Sequence, residues 1–187
     1  MAVFSGEPIP NPRTSADPAC AGSAVEGRPM SIPITTGTER ELLESMLDVV
    51  RADLADTVRG LSETDARRRL VPSLTTPIAL VKHASFVERM WFQRTLGRLA
   101  DADCDGPLWE HGGFRVGDEE TVAGVIAEFE RASARSRSVA AGISLDELRE
   151  HPRMGVVSLR WIYIAMIGEF TRHTGHGDIL REQITAG

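Results

Sequence analysis

The sequence predicts an all-α protein whose four long helices pack as a four-helix bundle. Apolar residues recur at helical spacing in four long segments of the chain. We find no segment that alternates apolar and polar residues convincingly, as a half-buried strand would. With 187 residues, of which 42% are hydrophobic and 26% charged, the chain is long enough to build one domain with a sizeable core.

The N-terminal part of the chain differs in composition from the rest. Residues 1–36 hold six of the ten prolines and show no helical period. This composition predicts a disordered tail over 1–36 and a helical bundle over 37–187. The first helix begins at a predicted capping box formed by Thr38 and Glu41, and Ser62 begins a short helical turn after it.

The second helix is predicted from Thr76, an N-cap followed by Pro77 at the first helical position, to about Gly97. A loop rich in Asp and Gly then covers residues 98–117. At about 20 residues it is long for a compact bundle, and long loops are often functional. The third helix is predicted to begin with Asp118 as its cap.

The last segment carries the polar residues of greatest interest. One helical turn is expected over residues 145–150, and the fourth helix starts near Ser158 and runs past Leu180. Its predicted inward stripe is apolar except for three ionisable residues, and burying a carboxylate is costly unless it is paired or bound to a cation. The stripe consists of Ile162, Ala165, Glu169, His173, His176 and Leu180.

Glu169 and His173 are four residues apart, which places two helical side chains on one face with Cβ atoms about 5–6 Å apart. His83 interrupts the apolar face of the second helix, so we expect it to face the same interior. Two imidazoles and a carboxylate suit a divalent first-row metal: zinc or nickel first, then iron or manganese. Three protein ligands leave positions open for water or substrate, as in catalytic sites.

His176 lies one turn beyond His173, and three interpretations of its role stay open. It replaces Glu169 as the third ligand, donates a proton to the substrate, or orients a ligand by hydrogen bonding. Two loop aromatics, Trp109 and Phe114, are candidates to cover the mouth of a pocket. Arg160 and Arg172 are candidates to contact an anionic substrate.

Composition also limits the class of partner. A net charge of −6 argues against nucleic acid, which requires a basic surface. No run of about 18 apolar residues is present to span a membrane. The two cysteines, Cys20 and Cys104, suggest a reducing cytoplasm, since the first falls in the predicted tail. We therefore expect a cytoplasmic protein that acts on a small-molecule substrate.

From Thr38 to Gln183 the chain resembles the DinB-like superfamily of four-helix metalloproteins. The segment from Thr76 to His83, followed by Val87-Glu-Arg-Met-Trp-Phe, is similar to the superfamily's second helix, in which a histidine ligand precedes a Glu-x-x-Trp-Phe pattern. Glu169-x-x-x-His173 resembles its last-helix ligand pair, and the ending His-Thr-Gly-His-Gly-Asp is close to that of an actinobacterial subgroup.

Mycothiol-dependent maleylpyruvate isomerases, which are similar in fold, resemble this chain in using His, Glu and His. The resemblance implies metal binding by His83, Glu169 and His173. It also implies metal-assisted use of a low-molecular-weight thiol such as mycothiol, in a transferase or an isomerase, and a homodimer. Two alternatives stay open: a metal-dependent hydrolase, and a non-catalytic metal-binding module of a stress response.

Overall fold

The computed structural model describes residues 32–108 and 110–186 and confirms the predicted all-α bundle. Four long helices form the bundle, and a small hairpin is attached to it. Most of the predicted tail, residues 1–31, lies outside the described residues. In chain order the elements are α1 (Glu39–Asp56), α2 (Glu63–Ala66), α3 (Pro77–Glu88), a π-helix that continues α3 (Arg89–Leu96), 3₁₀ turns at Asp101–Asp103 and Glu110–Gly113, α4 (Val122–Ala140), β1 (Leu148–His151), β2 (Gly155–Ser158) and α5 (Leu159–Thr185).

The helices begin where side chains can accept hydrogen bonds from free backbone N–H groups. The capping box of α1 is present: Glu41 N–H donates to the Thr38 hydroxyl, and Thr38 N–H donates to the Glu41 carboxylate at 2.8 Å. Thr76 caps α3 and Ser158 caps α5 in the same way. These predicted starting points are confirmed.

The core lies between the four long helices. α1 packs mainly against α5, and α3 packs mainly against α4. Phe129 of α4 meets Phe170 of α5 edge to face, with ring centroids 5.6 Å apart. None of the described helices has a stretch long and apolar enough to cross a bilayer. Fully buried apolar side chains come from all four helices and include Leu47, Leu54, Ile78, Leu80, Phe129, Ile162, Met166 and Phe170.

The connection between α4 and α5 corrects a prediction. Residues 145–150 were expected to form a helical turn, but β1 begins at Leu148 and pairs antiparallel with β2, with Leu148 opposite Ser158. Gly155 has φ 72°, a conformation that glycine adopts readily, and it begins β2. The hairpin ends at the N-cap of α5 and so fixes where that helix starts.

The start of α4 also differs from the prediction, because Thr121 rather than Asp118 is its N-cap. The Thr121 hydroxyl accepts a hydrogen bond from Gly124 N–H at 3.1 Å. The carboxylate of Glu63, in α2, accepts from Val122 N–H at 3.0 Å. This contact joins two elements far apart in sequence, so local capping rules could not show it.

The second predicted helix ends close to the expected residue, but its last eight residues form a π-helix, Arg89–Leu96. A π-helix contains wider turns than an α-helix and is often found at functional sites. Gly97 N–H donates to the Phe92 carbonyl at 2.9 Å, which closes the last wide turn. The π-helix changes which side chains share a face beyond α3.

Candidate metal centre

The three residues predicted as metal ligands come together in the structure. His83 lies on α3, and Glu169 and His173 lie one turn apart on α5. One ligand atom from each residue lies within 4.8 Å of those of the other two. Glu169 Oε1 lies 3.0 Å from His173 Nε2 and 3.3 Å from His83 Nε2. The three residues, which the sequence predicted to face one interior, therefore form a single cluster.

The backbone fixes the orientation of His83. Its Nδ1 lies 2.5 Å from the carbonyl oxygen of Gly112. A carbonyl only accepts, so Nδ1 carries the proton and donates it. In the neutral ring this leaves the lone pair on Nε2, which faces Glu169. A histidine that donates one N–H to a carbonyl and presents the other nitrogen is the usual arrangement of a metal ligand.

The loop that supplies this carbonyl has an unusual backbone. His111, Gly112 and Gly113 have φ values of 57°, 64° and 79°, all in the left-handed region. Two of these residues are glycines, which adopt the conformation without strain. A Cβ atom added at Gly112 would lie 3.4 Å from His83 Nδ1. The close approach of backbone to ring therefore depends on glycine.

Glu169 is held in its charged form. The imidazole side chains beside it, His173 first and then His83, keep the pKa of its carboxyl well below the ordinary value of 4.5. Arg172 adds a contact to the other carboxylate oxygen at 3.3 Å. The centre thus has a negatively charged carboxylate whose Oε1 lies between two imidazole nitrogens.

These residues fit a divalent metal on chemical grounds. With its proton on Nδ1, neutral His83 presents a lone pair at Nε2 to a carboxylate oxygen that is also an acceptor. Two facing acceptors are stabilised by a cation or a proton between them. Two imidazole nitrogens and a carboxylate oxygen are a ligand set that suits first-row divalent ions.

The centre is open to solvent on one side. The side chains of His83 and His173 are each 12% exposed and that of Glu169 is 29% exposed. His173 Nδ1 is buried and has no hydrogen-bond partner among the described residues. The ring of Phe114 stacks on His83 with centroids 4.3 Å apart, so it forms one wall beside that ring. Trp109, its predicted companion, lies outside the described residues.

The other predicted site residues lie around the cluster or away from it. His176 is exposed rather than inward-facing, and its ring centroid lies 5.6 Å from that of His173. Arg172 contacts Glu169. Arg160 is bound to Glu39 and Asp146, so its charge is already compensated and the structure gives no support to a role in substrate binding.

Sequence reasoning missed the Gly112 carbonyl as a partner of His83. A backbone carbonyl leaves no trace in the residue pattern. The available signal was the pair of adjacent glycines after His111, which permits consecutive left-handed residues. It also missed the π-helix, for which we find no sequence signal.

Comparison with known protein families gives a match over most of the chain. The family model described as mycothiol-S-transferase matches residues 42–186. This range includes α1 from Leu42 onward, the whole of the other three long helices and all three clustered residues. No curated protein matches the chain.

Proposed function

This chain belongs to the mycothiol-S-transferase family, and on that premise we propose that it is a metal-dependent enzyme that transfers mycothiol to a small electrophilic substrate. The resemblance to DinB-like proteins is confirmed by the family match. The observation that carries the metal-dependent part is the convergence of His83, Glu169 and His173 within 4.8 Å. The cytoplasmic location and the homodimer stay predictions from the sequence.

In this proposal His83 and His173 each offer one ring nitrogen and Glu169 offers one carboxylate oxygen to a divalent ion. Such an ion lowers the pKa of a thiol that reaches it and thereby supplies the thiolate nucleophile. Gly112 holds the proton on Nδ1 of His83, so that Nε2 stays available as a ligand. The exposed edge of Glu169 leaves room for the thiol to approach.

The reaction is a displacement or an addition at carbon. The sulfur forms a bond to the electrophilic carbon, and the bond that breaks releases its electron pair to a leaving group or to the adjacent conjugated system. The thiol proton is transferred to a base. His176 is the proposed proton carrier, because its exposed ring lies next to His173 and can exchange protons with water.

The test is a conjugation assay with purified protein, 1-chloro-2,4-dinitrobenzene as the electrophile and mycothiol as the thiol. We expect mycothiol-dependent product formation that a chelator abolishes and a divalent ion restores. Glu169→Gln, which removes the ligand charge, should lower the rate at least tenfold. Gly142→Ala, at a position with no atom within 4 Å of the added methyl, serves as the control and should keep the wild-type rate.

The same assay separates the alternatives. Turnover of an ester or amide in the absence of mycothiol, abolished by chelator, indicates a metal-dependent hydrolase. Stoichiometric metal without turnover of any electrophile indicates a non-catalytic metal-binding module. Either result contradicts the proposed transferase.

A further inference from the structure

A groove with a volume of about 1170 Å³ lies between the π-helix and the β-hairpin. Its walls are the π-helix face that carries Met90 and Arg94 and the hairpin residues from Leu148 to Val156. None of the three clustered metal-ligand candidates lines it. The groove therefore requires an explanation of its own.

The groove begins next to the candidate metal centre. Phe86 lines it and lies three residues after His83 on α3. The Phe86 and His83 rings are stacked with centroids 6.3 Å apart. From Phe86 the lining continues along the end of α3 and the whole π-helix to Arg98. A ligand that fills the groove and reaches the centre is therefore elongated.

The charge of the groove is mainly positive. Four arginines line it and the opposing carboxylate is Glu150. Arg94 is paired with Asp101 at 3.0 Å. Arg149 is paired with Glu147 and is largely buried.

The remaining two arginines of the groove, Arg98 and Arg153, are different. Both are exposed, and neither guanidinium has an ion-pair or hydrogen-bond partner among the residues that the structure describes. An unpaired guanidinium offers a planar pair of donors that matches a carboxylate. The groove therefore has two cations available for an anionic ligand.

The rest of the groove is apolar. Leu148, Met154 and Val156 on the hairpin are 59%, 52% and 63% exposed. Trp91 lies on the opposite wall, with its ring stacked against His151 at 4.6 Å. Large apolar side chains that are exposed together and bordered by charge are typical of a ligand-binding groove.

We propose that this groove binds the electrophilic substrate, and that this substrate is an elongated molecule with an apolar chain and a terminal carboxylate. The carboxylate contacts Arg98 at the end remote from the centre, Arg153 in the hairpin turn adds positive potential, the chain lies along Trp91 and the hairpin, and the reactive carbon faces the centre past Phe86. This inference rests on the proposed transferase function, because only that function makes the bound molecule a substrate. The binding itself does not depend on metal or mycothiol.

The first experiment measures binding alone, with the full chain, and uses decanoate and its uncharged counterpart decan-1-ol as probes. NMR signals of methionines labelled with ¹³C at the methyl group report where the probe binds. Decanoate should shift the signals of Met90 and Met154, which line the groove, but not that of Met46, which is exposed on α1. A shift of Met46 as large as that of Met154 overturns the proposed position.

The second measurement gives the affinities by calorimetry. The double variant Arg98→Gln/Arg153→Gln should bind decanoate about tenfold more weakly and decan-1-ol as tightly as the wild type does. The matched control is Arg135→Gln, which removes an exposed arginine of α4 outside the groove and should change neither affinity. Unchanged decanoate affinity in the double variant overturns the role of the two arginines.

The third measurement tests the substrate class. An α,β-unsaturated ketone with a terminal carboxylate should have a higher kcat/KM with mycothiol than its methyl ester, and the double variant should remove the difference. Equal values in the wild type overturn the inference while the proposed transferase stands. Absence of turnover with both compounds, together with normal decanoate binding, contradicts the transferase and leaves the groove as a binding site for anionic chains.

Discussion

Gly112 contributes to the candidate metal centre through its backbone. Its carbonyl accepts a hydrogen bond from His83 Nδ1 and so determines which ring nitrogen faces Glu169. Its φ of 64° lies in the left-handed region, which is strained for any residue with a Cβ, and an added Cβ would touch the His83 ring at 3.4 Å. A residue without a side chain therefore sets the orientation of the His83 ring.

We expect Gly112→Ala to lower metal affinity by about 10–100-fold, as loss of a hydrogen bond to a metal-ligating histidine usually does. Alanine at this φ costs about 1–2 kcal/mol and displaces the loop from the His83 ring. Chelator competition measures the affinity. The control is Gly142→Ala, where the added methyl meets no atom within 4 Å. Wild-type affinity in Gly112→Ala would show that the carbonyl does not support the ligand.

At the scale of elements, α5 approaches the end of α1 closely at one point. A Cβ atom at Gly177 would lie 2.7 Å from the side chain of Thr57, which is fully buried and donates to the Leu54 carbonyl. Two residues earlier, Gly175 is exposed, and an added Cβ there has no neighbour within 4 Å. The two glycines of one helix therefore have different roles.

Gly177→Ala is expected to destabilise the protein by about 1–3 kcal/mol because the methyl group overlaps a buried side chain. Gly175→Ala should stabilise it by up to about 1 kcal/mol, since alanine favours an exposed helical position. Urea denaturation measures both free energies of unfolding. Changes of the same sign in the free energy of unfolding of the two variants would contradict the close contact between Gly177 and Thr57.

The start of α1 gives a pH dependence. Hydrogen bonds from the Thr38 backbone and hydroxyl hold the pKa of Glu41 below its ordinary value of 4.5. Because the pKa is lower in the folded state, the carboxylate contributes stability above about pH 4.5, and this contribution is lost as the pH falls through the folded-state pKa.

We therefore expect Glu41→Gln to lower the Tm at pH 7 and to have a smaller effect at pH 3, below the ordinary pKa of 4.5, where protonation of Glu41 in the unfolded chain reduces the contribution of the folded carboxylate. Thermal denaturation followed by circular dichroism gives both differences. Glu120→Gln is unsuitable as a control because Glu120 is paired with Lys82. Glu119→Gln is a suitable control, because Glu119 is exposed. An equal loss at both pH values would contradict the assignment to the carboxylate.

The elements that sequence could predict depend on nearby residues. The caps at Thr38, Thr76 and Ser158 follow from the hydrogen-bonding capacity of one side chain and the residues just after it. The predicted start of α4 was wrong: its N-cap is Thr121, and Glu63 from another element also accepts a hydrogen bond from Val122 N–H in the first turn. The hairpin was missed because apolar and polar residues do not alternate along either of its strands, and only Val157 is buried.

The same distinction applies to the site. Glu169 and His173 are placed on one face by helical geometry alone, so their proximity was predictable. Their approach to His83 follows from the expectation that polar interruptions of apolar faces point to one interior. The exposure of His176 could not be predicted from helical spacing, because it depends on how α5 is rotated against its neighbours.

At the scale of the whole molecule, a buried ion pair joins α1 to α3. Arg51 donates to the two carboxylate oxygens of Glu88 at 2.7 and 2.9 Å, and the Glu88 side chain is fully buried. Such a pair contributes little net stability compared with apolar replacements, but removal of one partner leaves a buried charge. The pair therefore constrains how the two helices are aligned.

We expect Glu88→Leu to destabilise the fold by about 3–5 kcal/mol and the double variant Arg51→Met/Glu88→Leu to recover most of this loss. Asp56→Ala, which breaks the exposed pair with Arg59, should cost less than about 1 kcal/mol. Urea denaturation gives all three values. If Glu88→Leu costs no more than Asp56→Ala, the ion pair does not have the proposed importance.

The central claim is that side chains of α3 and α5 hold one divalent ion. Elemental analysis of purified, metal-loaded protein tests it most directly, with helical content checked by circular dichroism. We predict about one metal ion per chain in the wild type and in His176→Ala, and close to none in His173→Ala, with the helical spectrum unchanged. Stoichiometric metal in His173→Ala together with its loss in His176→Ala would contradict the assignment.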